Sequence, residues 1–480
     1  MQFTRLRIVW IAAALIASLC AFGYALKTKS PHVEKGDTPD YVTGAYHLRH
    51  HGTFSQISTP DPAPPGIGRE PGYAVFLAAL MSVDPAFARF SPACLTQADT
   101  CGDELYRVPQ VANSILIGLS GFTLFAAVWM LTGSLVAASV AGGYVLLNFE
   151  MHKDRIYLAS DYLGLWMLTL TILATVWGAR APGWWRWTVV GTTLALLTFV
   201  KAVFLYLTIL ALLAAGIVAL AKSRQRGHVG RSALAVCVAF TVLVGGWVLR
   251  NEAVSGRYTF TDQRSGIALS TREVFNHMSP EQYAAAFVYW TRGFGDSLAA
   301  KIFPPEVVAP FDLGQVGGFY DTGQNGYGRR VNEIAQSKSI SPDTAAEELD
   351  KMLIADILAR PITHIVTTLP VFYRGIWIDE FIVIGLPVLM VMLVRSVRRR
   401  NWLLALLLSI GAFNLLFYAL VSLNIPRYQM TAVPSIALAT GIGCMQLLDW
   451  RRSRKRAARS ASGMNTGKMR QGTSDRPASA

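Results

Sequence analysis

Acids and cations stand at the ends of apolar segments in this chain, too far apart in sequence for one element to hold them together. Asp37 and Asp40 follow the first apolar run, and Asp161 opens another. Lys201 interrupts a long one, Arg250 and Asn251 close one, and Arg427 with Tyr428 opens the last. Carboxylates can orient an acceptor hydroxyl or take its proton. Lys201, Arg250 and Arg427 suit a phosphate, arginine through its two-pronged fork. A phosphate at a bilayer surface ordinarily belongs to a lipid headgroup. Acids and cations at that depth therefore suit transfer of a group off a lipid phosphate, with the cations stabilising the leaving phosphate. Each charge at membrane depth costs about 2.5–3.5 kcal/mol to insert, which makes the set a functional hypothesis rather than ornament.

The elements that must carry these residues are legible in the composition. Of 480 residues, 52% are hydrophobic and 15% charged, against about 25% charged in a soluble domain. The shortfall lies in charge-free runs at 108–134, 163–178, 232–249 and 402–425. Runs of this length cross the ~30 Å hydrocarbon layer as helices. Only helices or closed barrels satisfy the backbone there, and the period-2 alternation of a barrel is missing. The expected fold class is an all-α polytopic membrane protein with about ten spans, at 8–26, 108–131, 134–149, 162–179, 187–200, 202–221, 232–249, 381–394, 402–421 and 430–448. The 187–221 stretch reads as a hairpin with Lys201 near its turn, although a 14-residue first arm is short for a crossing.

The net charge of +14 is placed for a membrane and not for nucleic acid. Basic clusters occur at Arg5/Arg7, Arg180/Arg186, 222–231, 395–400 and along the tail from Arg451. The two long connections, 27–107 and 250–370, instead carry nine acids against seven bases and fourteen against eleven. By the positive-inside rule the clusters and both termini are cytoplasmic and the long connections lie outside, as expected of a bacterial inner-membrane protein. The tail reads as a stop-transfer segment that anchors on lipid headgroups. This divides the chain into a transmembrane module at 1–249 with its first outer loop at 27–107, an outer subdomain at 250–370, further spans at 371–448, and a basic, disordered tail at 449–480. The first apolar segment is read as an uncleaved span. Cys94 and Cys101 share the first outer loop, where an oxidising compartment allows a structural disulfide. Cys20, Cys237 and Cys444 read as packing residues.

Within the first loop, helical spacing covers 39–51 with Asp40 as its cap. A Pro/Gly-rich crossing follows, then Arg69-Glu70-Pro71-Gly72-Tyr73 and a short apolar stretch at 74–83, read as interfacial. In the second outer segment a charged helical run covers 344–358. His32, His47, His50, His51 and His152 fall in the outer regions and read as ordinary surface histidines.

The string Gly36-Asp37-Thr38-Pro39-Asp40-Tyr41, continued by Ala45, Leu48, Gly52 and Phe54-Ser55, resembles the first-loop signature of GT-C fold glycosyltransferases. These include protein mannosyltransferases, lipid A aminoarabinose transferases and bacterial relatives acting on cell-surface glycans. Thr38 stands where the family often has a second acid, and Asp40 is the substitute. Arg69-Glu70-Pro71-Gly72-Tyr73, Ser160-Asp161-Tyr162-Leu163, the stretch around Lys201, Arg250-Asn251 and Pro426-Arg427-Tyr428 resemble further landmarks in the same order. The resemblance implies a GT-C-like bundle and an inverting glycosyltransferase. Its donor would be a polyprenyl-phosphate sugar, and its acceptor a glycan, lipid or protein on the outer face. Asp37 would be the catalytic carboxylate, with Asp40 and Asp161 as supporting acids. Lys201, Arg250 and Arg427 would hold the donor phosphate. Tyr41, Arg69, Glu70, Tyr73, Asn251 and Tyr428 would line the substrate sites. A divalent cation bridging acid and phosphate is compatible with this set.

Two other readings use the same topology. A transporter or flippase of lipid-linked glycans calls for midplane charge and repeat symmetry, and neither is visible. A non-catalytic envelope-assembly subunit calls for dispensable outer acids. The charge asymmetry makes a direct prediction: a reporter fused after residue 300 is active outside the membrane, and one fused after residue 455 is active inside.

Overall fold

The computed structural model describes residues 36–59, 61–96, 101–148, 157–181, 183–221, 226–262 and 264–471. Every regular element among them is a helix. Those used below are α1 (Thr38–His51), α2 (Pro71–Val83), α3 (Arg107–Thr132), α4 (Leu135–Leu146), α5 (Asp161–Arg180), α6 (Trp184–Val200), α7 (Val203–Ala221), α8 (Arg226–Ser255), α9 (Arg264–Val274), α10 (Pro280–Tyr289), α11 (Gly326–Lys338), α12 (Pro342–Ala359), α13 (Pro361–Gly375), α14 (Ile382–Arg398), α15 (Trp402–Val421) and α16 (Val433–Gln471).

The chain is an all-α polytopic membrane protein. Six described helices are long and apolar enough to cross a membrane, and the pair α12–α13, bent by 95°, meets the same test if taken together. The span expected at 8–26 lies outside the described residues. Each of the other nine expected spans coincides with a helix, but α4 has 12 residues and α6 and α14 have 17 each. Helix α4, at 1.5 Å per residue, is about 18 Å long and falls short of a full crossing. Helix α6 gains three residues over the expected arm because it begins at Trp184 and Trp185, whose amphipathic rings suit the headgroup level. The hairpin break falls where expected, with Lys201 ending α6 and α7 starting at Val203. Helix α16 runs on to Gln471, through much of the tail expected to be disordered; Arg, Lys and Ala are strong helix formers.

Several polar residues inside these helices are satisfied within their own helix. Ser120, Thr171, Thr175, Thr208 and Ser396 each donate to the carbonyl four residues back. Close packing relies on small residues, as membrane helix pairs do. At Gly191 of α6 an added Cβ would lie 2.5 Å from the Val236 carbonyl oxygen of α8. The main core joins α1 and α2 to α3, α4, α5 and α16 through Tyr41, Tyr73, Leu116, Ala141, Leu165 and Ala437. By contrast, α7 and α8 present open apolar faces, with Leu213, Ile217 and Val242 all more than half exposed, as lipid-facing helices should be.

The 250–370 segment adds two cores, the first of them shared with Ala419 of α15. Phe275, Trp290, Phe311 and Phe319 pack edge-on and tilted around α10, and Tyr327, Val331, Leu349 and Leu353 join α11 to α12. Arg272 of α9 ties this segment to the bundle. Its guanidinium is fully buried and donates to Ala419 O, Asn276 Oδ1, His364 O, Thr367 Oγ1 and Thr368 Oγ1. In the first loop the Cys94–Cys101 disulfide is formed, as expected. Cys237 and Cys444 are free and half-buried in helices, and Cys20 lies outside the described residues.

The Gly191 contact leaves no room for a larger side chain. Gly191→Leu should destabilise the protein by about 1–3 kcal/mol or more through overpacking, read as a lower thermal midpoint in detergent, whereas Gly143→Ala, with open space around it, should not.

Candidate active site

Helix α1 starts at Thr38, one place before the expected start, which puts Asp37 at its N-cap and Asp40 in the first turn instead of capping it. An Asp here ordinarily accepts from a backbone N–H of its own helix. Asp37 makes no such bond. Its Oδ1 lies 2.8 Å from Arg69 Nη2 and its Oδ2 2.7 Å from Arg427 Nη2, on a segment 390 residues away. Arg69 Nε also donates to Asp40 Oδ2 at 2.7 Å. Arg427 turns its Nε toward Asp161 Oδ2 at 3.6 Å, while Asp161 Oδ1 takes Lys201 Nζ at 2.6 Å. Acids and cations thus alternate through six residues: Asp40, Arg69, Asp37, Arg427, Asp161 and Lys201.

The alternation is what makes burial tolerable. Paired, hydrogen-bonded charges offset a desolvation penalty of several kcal/mol per ion that an isolated one would bear in full. Burial would raise the Asp37 carboxyl, but Arg69 and Arg427 outweigh it and hold the group below the usual carboxylate range. The aromatic rings lie against the cations: the Arg69 guanidinium sits 5.1 Å from the Tyr41 ring centre and that of Arg427 5.7 Å from Tyr428.

Local structure positions each member. Asp161 begins α5, where a negative charge meets the positive helix end. Lys201 ends α6, and its stem lies against Gly164, where a Cβ would come within 3.1 Å of Lys201 Cδ. Glu70 precedes α2 and accepts from the Ala202 backbone N–H at 3.2 Å, tying α2 to the α6–α7 break. Gly72 permits that approach, since a Cβ there would sit 2.8 Å from the Phe199 carbonyl oxygen. Tyr41 donates to Ser160 Oγ at 3.1 Å.

Two cavities meet at this chain of charges. The larger, about 850 Å³, is walled by Asp37, Asp40, Arg69, Tyr157, Tyr320, Gln324 and Arg374 among others. The smaller, about 360 Å³, is walled by Tyr41, Glu70, Asp161 and Lys201 at one end and by apolar residues of α7 and α15 at the other, including Val203, Tyr206, Phe417 and Val421. Asp37, Arg69, Arg427 and Tyr428 line both. At the apolar end the Tyr206 and Phe417 rings face each other across the two helices, 5.1 Å between centres.

Most of the residues singled out in the sequence therefore come together, but three do not. Arg250 lines neither cavity. Its Nη1 donates to the Gly66 carbonyl at 2.7 Å and its guanidinium lies 4.9 Å from the Trp247 ring, so it braces the Pro/Gly-rich crossing of the first loop. Asn251 holds the Thr259 and Phe260 carbonyls. Tyr73 is fully buried and bonded to Asn113, in the core behind Tyr41. The reading of His47 as a surface histidine is also overturned, because it is completely buried under the last turn of α1.

Tyr157, Tyr320, Gln324, Tyr418 and Arg374 line the cavities without a site role assigned from sequence, although Arg374 stands among the charges at span ends. Arg374 had a legible signal, a lone cation at the end of an apolar run, and is 92% buried with its guanidinium 5.0 Å from the Trp290 ring. The tyrosines and Gln324 had none, since nothing in sequence separates a cavity wall from a helix face.

No protein-family model and no curated protein matches the chain. Among solved structures, the chain is similar to ArnT from Cupriavidus metallidurans bound to undecaprenyl phosphate, at 14% identity and a TM-score of 0.41, covering 91% of this chain and 77% of that one. It is also similar to the apo state of the same protein, at 14% identity and a TM-score of 0.40, covering 92% and 77%.

The buried Asp161–Lys201 pair sets up a stability test. Lys201→Met leaves a buried carboxylate short of its nearer cation and should cost about 3 kcal/mol, whereas Asp161→Leu with Lys201→Met should restore most of that loss. Thermal melting in detergent separates the two outcomes.

Proposed function

We propose that the protein is an integral-membrane glycosyltransferase that moves a sugar from a polyprenyl-phosphate donor to an acceptor hydroxyl of a cell-surface glycan, lipid or protein. The observation that carries this reading is the position of Asp37 in the wall common to both cavities. The smaller cavity suits the donor: an apolar mouth between α7 and α15 for the prenyl chain, and Lys201 and Arg427 for its phosphate. The larger, more polar cavity suits the acceptor, with Arg374, Gln324 and Tyr320 along its wall. The Cys94–Cys101 disulfide supports an oxidising, outer compartment for this side of the protein.

In the reaction the acceptor oxygen forms a bond to the anomeric carbon as the bond from that carbon to the phosphate oxygen breaks. The bonding pair leaves with the phosphate, whose charge Lys201 and Arg427 hold. The hydroxyl proton passes to Asp37. A carboxylate held between two guanidinium groups is a weak base, so it orients the hydroxyl first and takes the proton late, once bond formation has made it acidic. Attack from the face opposite the phosphate inverts the anomeric centre, the geometry of a base carboxylate in inverting glycoside hydrolysis with a hydroxyl in place of water. Arg69 positions Asp37 and Asp40, and Arg250 braces the loop that leads to Arg69.

Asp37→Asn should lower sugar transfer by about 10²–10⁴-fold in membranes supplied with labelled polyprenyl-phosphate sugar, with unchanged insertion; normal turnover would remove the assignment. Arg427→Gln should raise KM for the donor more than for the acceptor, and equal effects would count against phosphate binding.

The pH dependence follows from the direction of the Asp37 shift. A carboxyl held below its usual value of about 4 stays ionised above it, and its stabilising contribution is lost only as pH falls through the lower folded value. The acid limb of the rate profile due to Asp37 should therefore lie below about pH 4, and an acid limb near neutrality that disappears in Asp37→Asn would contradict its ionised ground state.

A further inference from the structure

We propose that the last turn of α1 and the loop following it form a binding site for a divalent first-row transition-metal ion of the zinc type, held by His47 Nδ1, His51 Nε2 and a carboxylate oxygen of Asp61. The site is separate from the chain of charges around Asp37 and does not depend on the glycosyltransferase reading.

His47 and His51 are four residues apart in a helix, so both rings leave the same face. His47 is completely buried, and its Nε2 lies 2.8 Å from the Ile57 carbonyl oxygen. A carbonyl only accepts, so Nε2 carries the proton and the lone pair sits on Nδ1. That buried Nδ1 makes no hydrogen bond. It points toward Asp61, with Oδ1 at 3.9 Å, and the same oxygen lies 2.7 Å from His51 Nε2. All three ligand atoms lie within 4.8 Å of one another. An ion pair between His51 and Asp61 accounts for one of these contacts and leaves the buried His47 lone pair unexplained. A metal ion accounts for both.

The distances are near those of a metal site. Bonds of about 2.0–2.2 Å in a tetrahedron separate ligands by about 3.3–3.5 Å, between the two separations found. Outer partners are already in place: the Ile57 carbonyl fixes the His47 tautomer, and the Tyr46 hydroxyl donates to Asp61 Oδ2 at 2.8 Å, leaving Oδ1 for the ion. His51 and Asp61 are 28% and 41% exposed, so solvent can enter and fill the remaining position. Two imidazoles and one carboxylate favour zinc and its neighbours over magnesium or calcium, which prefer all-oxygen sets. The ion would pin residue 61 to α1, shortening the free run of the loop that delivers Arg69 to Asp37.

A second triad, Glu273, His277 and Asp356, supplies the control. There His277 is half exposed and its Nε2 is bonded to Glu273 Oε1 at 2.8 Å, so the buried atom without a hydrogen bond is a carboxylate oxygen, Asp356 Oδ2, and not an imidazole nitrogen. The full-length protein in detergent, stripped with chelator, is dialysed against Zn²⁺ and assayed for metal per chain; Co²⁺ is then substituted and its ligand-field absorption recorded. The expected result is one Zn²⁺ per wild-type chain that is bound at least about tenfold more weakly by His51→Ala and by Asp61→Asn, and as tightly by His277→Ala. Zn²⁺ should raise the thermal midpoint of the wild type and of His277→Ala alone. The His51 and Asp61 variants replace partly exposed residues and leave buried His47 in place, so the fold is retained. Equal zinc retention by wild type and His51→Ala, no zinc on the wild type, or preferential uptake of Mg²⁺ would each overturn the proposal.

Discussion

Asp37 spends both carboxylate oxygens on guanidinium groups from elsewhere and none on the helix it heads. That choice organises this end of the molecule. It draws Arg69, midway along the first loop, and Arg427, ahead of the last membrane helix, to one point. Through Arg427 it also reaches Asp161 and Lys201 at the ends of α5 and α6. A helix N-terminus without its side-chain cap gives up about 1 kcal/mol, a modest local loss beside the two charge-assisted pairs that Asp37 makes with Arg69 and Arg427. The local preference yields to the tertiary one at the place where chemistry is expected.

The division of space around that point has its own logic. On the proposed reading, a carboxylate that serves two substrates of unlike polarity must be reachable from two sides without letting them mix. The wall made by Asp37, Arg69, Arg427 and Tyr428 belongs to both cavities, and only the smaller one ends among the apolar side chains of α7 and α15. The faces of α7 turned outward are themselves apolar. A lipid tail and a polar head can therefore be met by different parts of one protein surface.

Much of this is legible in the sequence. Uncharged runs located the spans, because crossing a hydrocarbon layer imposes both length and composition, and the interruption at Lys201 marked the α6–α7 break. Charges at span ends marked the site, because burying a charge is too costly to happen idly. What stayed hidden was pairing. Arg250 and Arg427 look alike in sequence, each closing or opening an apolar run, yet one grips backbone carbonyls and the other a carboxylate. Tyr41 and Tyr73 look alike too, but Tyr41 reaches a cavity wall while Tyr73 turns into the core. His47 read as a surface residue because polarity gives no hint of which side of a short helix is covered. Orientation and long-range partners are set by packing, to which a single sequence offers no direct access.

Arg272 carries a last consequence. Its five acceptors are all neutral, drawn from carbonyl, amide and hydroxyl groups on α13, α15 and the turn after α9. Burial pushes its guanidinium down to about 10, still cationic at neutral pH. Prising the 250–370 segment from α15 would strand that cation in a dry place with its acceptors gone. The Arg272 bonds hold the segment to the membrane bundle on this side, so the two belong to one cooperative unit.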